Sequence, residues 1–144
     1  MVRHDGASRR RAFELVVALV ALGTTACSQG GPPTSPHALS SGRTIRIISV
    51  GQMHFSASGP ALVLSYQTDL KVEQNEALRK EVADIWKDFR KEVDKAKLND
   101  AIIMANEVPS GRVIQTGQSY NFVFARNADG SWPEEPSKLS LIHI

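Results

Sequence analysis

The sequence has few residues from which to build covalent staples or metal cages. Its 144 residues include one cysteine and four histidines. A lone cysteine excludes an internal disulfide framework and any zinc cluster made of cysteines. Aromatic residues make up only 6% of the chain. No apolar run approaches the ~20 residues that a membrane-spanning helix needs. The chain has no G-x-S-x-G turn and no phosphate-binding glycine loop, which removes the two commonest local signatures of hydrolase and nucleotide chemistry. Charge of one sign is also scarce. The formal net charge is +2, and it resides in the N-terminal segment. Without Arg3, Arg9, Arg10, Arg11, Asp5 and Glu14, Lys plus Arg falls from 17 to 13 and Asp plus Glu from 15 to 13. The remainder is neutral, which argues against a nucleic-acid footprint. With 42% apolar and 22% charged residues, a chain of this length fits one domain around a single core.

Both ends read as something other than that domain. Residues 1–14 carry the four arginines, an unbroken apolar run (LVVALVAL) fills 15–22, and the small residues Gly23, Thr24, Thr25 and Ala26 lead to Cys27. A basic head, a short greasy middle and a small-residue exit are the parts of a secretory signal, here residues 1–26. Eight helical residues span ~12 Å, too little to cross a bilayer, so the segment reads as removable. The competing reading is a buried core helix.

Thr24-Thr25-Ala26-Cys27 resembles a bacterial lipobox, in which the cysteine receives diacylglycerol and becomes the mature N-terminus. The resemblance departs at Thr24, where a Leu is usual. Ordinary cleavage after Ala26 would instead leave a soluble periplasmic protein. The resemblance implies lipid attachment at Cys27 through its thiolate and a membrane as partner through the acyl chains. It places the chain in the cell envelope on the periplasmic or extracellular side. Ser28 resembles the sorting residue of outer-membrane lipoproteins, should the host have two membranes. Arg10-Arg11-Ala12-Phe13 is similar in part to a twin-arginine export motif, with the general secretory route as the alternative.

At the other end, residues 139–144 (LSLIHI) match, residue for residue, the translation of a transposase mosaic-end adaptor used in sequencing libraries. They are expected to be an adaptor artefact joined to a chain that continues past Lys138, with a genuine terminal strand as the competing reading. Residues 27–42, rich in Ser, Gly and Pro, read as the lipidated cysteine and a flexible tether that includes His37.

The domain is expected over residues 43–138. Residues 43–50 (RTIRIISV) read as a strand that extends through Met53 and Phe55, and residues 61–67 as a second. Between about 73 and 97, Leu78, Val82, Ile85, Phe89, Val93 and Ala96 recur at spacings of 3 and 4, the stripe of an amphipathic helix. Thr68 or Asp69 is expected to open the turn before it and Asn99 or Asp100 to close it. Further strands are expected at 101–105, 112–115 and 119–126, with a turn at 127–130 and a returning strand from Trp132 that the chain end truncates. The order β-β-α-β-β-β implies an α+β domain, a curved antiparallel sheet packed on one helix. The last third is similar to cone-shaped, nuclear-transport-factor-like folds, without a diagnostic motif.

No constellation of catalytic, cofactor or metal-ligating residues emerges. His54 stands alone near a strand end, and the acids are spread over the helix surface. Trp86, beside the stripe, is a candidate partner anchor or a boundary core residue. Asn106, Glu107, Tyr120 and Asn121 place polar groups near strand ends, where a pocket between helix and sheet would open. The expected role is non-catalytic binding or structure at a membrane, with no cofactor. The alternatives are a periplasmic enzyme with a pocket in the sheet and a protein that works through helix association.

Overall fold

The structure is a computed structural model that describes residues 32–71, 73–110 and 117–143, and for 138–143 the backbone. The proposed signal, Cys27, the start of the tether and the strand expected at 112–115 lie outside the described residues. The fold is α+β. The strands are β1 (Ser35–Ala38), β2 (Thr44–Phe55), β3 (Gly59–Thr68), β4 (Asp100–Glu107), β5 (Gln118–Ala125) and β6 (Lys138–His143). One helix, α1 (Asn75–Lys95), lies between β3 and β4 in sequence. The strands form one sheet in the order β1-β2-β3-β4-β5-β6.

The expectation of a wholly antiparallel sheet is corrected at one pair. β3 and β4 run parallel, with Leu62 opposite Ala101 and Tyr66 opposite Ala105, while every other pair is antiparallel. The helix forces this exception. A chain that leaves β3, crosses one face as a helix and returns beside β3 must re-enter in the same direction.

The expected element order is corrected at its start. β1 lies within the stretch read as a flexible tether and pairs with β2 from Ser35–Ile47 to Ala38–Thr44. Leu39 follows it into the core at 6% exposure. The turn closes through Leu39 N–H to the Arg43 carbonyl (2.8 Å) and Gly42 N–H to the Leu39 carbonyl (2.9 Å). Gly42 takes φ of 85°, a left-handed value that glycine adopts without a Cβ clash. One large apolar side chain among prolines and serines is thus enough to dock a four-residue strand.

At the far end, residues 138–143 form β6 along β5, from Val123–Lys138 to Gln118–His143. Residues 139–143, expected to derive from an adaptor, thus pair with the sheet, and residue 144 lies outside the described residues. The β5 edge offers unpaired amides and carbonyls, and an alternating apolar hexapeptide satisfies them whatever its origin. The returning strand starts at Lys138 rather than Trp132, which sits in the preceding loop. The expected turn at 127–130 forms, closed by Gly130 N–H to the Asn127 carbonyl at 2.9 Å.

Helix α1 begins two residues later than its pattern suggests, at a Gln74 cap with no side-chain hydrogen bond. As expected, Thr68 opens the turn before it, its Oγ1 accepting the Leu70 amide at 3.1 Å. The helix ends at Ala96 with Lys97 at φ of 56°, before Asn99 and Asp100. From Leu78 to Val93 its apolar stripe is consumed inside the molecule, and Ala96, the C-cap, is exposed. Leu78, Val82, Ile85, Trp86, Phe89 and Val93 are buried against Leu64, Tyr66, Ile103, Phe122 and Phe124 of the central strands. Ala101 and Ala105, both fully buried, provide small residues in the sheet beneath the helix.

Candidate functional site

Between the sheet edge and α1 lies a half-open groove of about 270 Å³. Ile45, Ile47 and Val50 of β2 and Leu64 of β3 form its floor, and Ile85 and Phe89 of α1 its wall. The register explains the floor. Ile47 lies opposite Tyr66 and Val50 opposite Leu64, with an irregularity between Ile47 and Ser49 that returns Val50 to the helix side. Val50 remains 51% exposed at the open end. His37 and Leu39 close the outer side, so the segment read as a tether builds part of the site.

The rim is polar and internally engaged. Asp88 Oδ2 accepts the Ser40 amide at 2.6 Å and Oδ1 accepts Lys91 Nζ at 3.1 Å. The Ser40 amide, followed by Lys91, holds the Asp88 carboxyl down at about 2, against an ordinary 3.8. One turn earlier, Asp84 Oδ2 accepts the Ser41 hydroxyl at 2.6 Å. These carboxylates clamp the segment after β1 onto the helix. An acid already ionised and bonded on both oxygens is poorly suited to donate or abstract a proton.

A second cavity of about 210 Å³ opens where β2, β3 and α1 meet. Glu81 is at its centre. Oε1 accepts Tyr66 Oη at 3.0 Å and Thr68 Oγ1 at 2.8 Å, and Oε2 pairs with Arg43 at 3.2 Å. Burial and then the neighbouring Glu81 carboxylate push the Tyr66 phenol far above its usual value. Arg46 is paired with Asp69 at 2.6 Å on the same side. Glu81 thus ties β3 and the residue before β2 to the helix, and Arg46–Asp69 ties β2 to the segment after β3. Among the described residues no three His, Cys, Asp or Glu side chains gather as a metal site. No described helix is long and apolar enough to cross a membrane.

The five residues singled out from sequence do not come together. Trp86 is a core residue at 2% exposure, stacked on Phe124 with ring centroids 4.0 Å apart, and its Nε1 donates to the Pro133 carbonyl at 3.0 Å. It is therefore not a surface anchor. Tyr120 (7% exposed) lies on the helix side of the sheet, where Glu107 pairs with Lys71 at 3.4 Å. Asn106 and Asn121 face the other way. Asn106 Nδ2 donates to Ser65 Oγ at 2.9 Å, and its Oδ1 accepts Ser119 Oγ at 2.6 Å. None of the five lines the groove or the Glu81 cavity.

The groove escaped detection in the sequence because its lining comes from four elements spread over 56 positions, from His37 to Glu92. The one local hint is Leu39, a single large apolar residue in an otherwise polar stretch. Comparison with protein-family models, curated proteins and solved structures found no match.

Proposed function

We propose that this chain is a lipid-anchored module of the cell envelope that works by binding rather than catalysis. The groove takes the aliphatic tail of an amphiphile and leaves its polar head at the His37–Lys91 rim. The observation that carries this reading is the lining of the groove, with six aliphatic or aromatic side chains on floor and wall and carboxylates only at the rim. Small-ligand sites have this character, an apolar interior with a few polar groups at the mouth.

The N-terminal pattern supports the anchor. Residues 28–34 separate Cys27 from Ser35, where β1 begins, so an acylated Cys27 would hold the groove within ~25 Å of the headgroups. That leash is shorter than the sixteen-residue segment 27–42 suggested. An anchor raises the local concentration of membrane amphiphiles at the groove. The helix-association alternative loses its main support, because the apolar stripe of α1 is spent on its own sheet.

Calorimetric titration of the full chain with laurate tests the binding reading. One saturable site is expected, lost in Val50→Asp at the lip, with the melting temperature retained. Absence of saturable heat in the wild type, or unchanged binding in Val50→Asp, overturns the groove as the site.

A further inference from the structure

The helix covers one face of the sheet, and the other is uncovered by any described helix. Register assigns its residues. Because Leu64, Ile103 and Phe122 point at α1, their neighbours Val63, Ile102 and Val123 point away, as do Met104 and, through Gly51–Val63 and Met53–Ala61, Met53. A sheet face meant for water alternates apolar-inside with polar-outside. This one is apolar on both sides over half its length. Met53 is 51% exposed, and Ile102, Met104 and Val123 are partly exposed.

The polar half of the face is prepared for burial. Ser65, Asn106 and Ser119 on three adjacent strands bond to one another across the sheet, at 2.9 and 2.6 Å. Asn106 Nδ2 also lies 3.0 Å from the Tyr66 carbonyl. These three groups satisfy each other and can be covered without stranding a donor or an acceptor, whereas Asn121 Oδ1 on the same face is buried without a described partner. On β2 to β5 the charged side chains on this face are Asp100 at one corner and, opposite Gln67, Arg46, which is paired with Asp69 at 2.6 Å.

We propose that this face is the interface of a homodimer, two sheets packed face to face about a two-fold axis. The occupant is a second copy for two reasons. Charge is confined to the edges of the face, where Asp100 is the one acid and Arg46 is already paired with Asp69, so there is no one-signed field for a charged partner and no basic rim for anionic lipid. The area also suffices. β2 to β5 span ~19 Å across the strands and eight residues of β4 run ~26 Å, so each copy covers about 500 Å² and the pair about 1,000 Å². That total meets the ~1,000 Å² threshold for a specific interface before β1 and β6 are added. An isologous pairing sets Ile102, Met104 and Val123 of one copy against the same patch of the other.

The test uses the full chain with Cys27→Ala, which removes the one cysteine. Sedimentation equilibrium at tens of micromolar is expected to give twice the 15.7 kDa chain mass. Ile102→Lys and Val123→Lys, each outside the helix-side core, are expected to weaken association about 100-fold or more, because each buries an uncompensated charge. Circular dichroism checks that both variants stay folded. A second readout does not depend on those variants. Met104→Cys in the cysteine-free chain is expected to cross-link as a dimer with a short bis-maleimide, and Lys80→Cys on the solvent side of α1 is not. A wild-type mass of one chain at 100 µM overturns the proposal. So does a dimer that survives both lysine variants or cross-links equally from Lys80→Cys. A monomer that pellets with phosphatidylglycerol vesicles through Met104 would make a bilayer the occupant and likewise overturn it.

Discussion

Replacing Asp88 by Asn tests whether the segment after β1 is clamped to the helix as the structure shows. The wild-type carboxylate receives the Ser40 amide at 2.6 Å and the Lys91 ammonium at 3.1 Å, and is held down at about 2 from 3.8. That fall corresponds to at most about 2.5 kcal/mol. Lys91 is 62% exposed and Asp88 21%, so solvent screening brings the expected contribution to about 1 kcal/mol. Asn keeps an acceptor for the amide but loses the charge. A group whose pKa is lowered by folding stabilises above its unfolded value, and the contribution disappears as pH falls through the folded value. The gap between wild type and Asp88→Asn is therefore expected to be full above about pH 5 and to close between pH 4 and pH 2. Thermal melts by circular dichroism should show it as about 3–6 °C at pH 7. Asp94 and Asp129 are also held low, but both proteins share them and they cancel in the difference. A gap of equal size at pH 7 and pH 2.5, or no gap at pH 7, would refute the clamp.

Two further outcomes follow from buried groups. Leu39→Ala should cost about 2–3 kcal/mol, read as a lower urea midpoint, whereas a free tether would give no change. The chain has two tyrosines, and folding raises both phenols, Tyr66 by burial and Glu81, Tyr120 by burial and Glu107. Groups raised in this way stabilise the fold below the unfolded value near 10 and cease to do so above it. In Tyr120→Phe, absorbance at 295 nm should therefore stay flat through pH 10 and rise only together with loss of the far-ultraviolet helix signal. Ionisation of Tyr66 at pH 10 in that folded variant would contradict its burial against Glu81.

The helix was legible because its stripe repeats over five turns and every stripe residue from Leu78 to Val93 is buried. β2 through Phe55, β3, β4 and β5 were legible for a similar reason, since isoleucine, valine and aromatic density outweighs local ambiguity. β1 was hidden because four residues carry no usable period and Pro36 reads as a breaker. An edge strand tolerates proline, and what fixes this one is Leu39 beyond its end together with carboxylates 43 and 48 positions away. The parallel β3–β4 pair was equally hidden, because strand direction depends on where a helix returns and leaves no mark on either strand. Of the two readings of Trp86, the core one holds, and the residue is buried more deeply than a boundary position. Trp132 and Phe124 close over it from a part of the chain that no helical period describes.

Intact-mass analysis of the chain recovered from the membrane fraction of its host, set beside Cys27→Ala, tests the anchored-module reading most directly. The account predicts a polypeptide that begins at Cys27 and carries diacylglycerol and acyl mass, with the variant released from the pellet. An unmodified thiol at Cys27, an uncleaved precursor, or equal partitioning of the two proteins would contradict it.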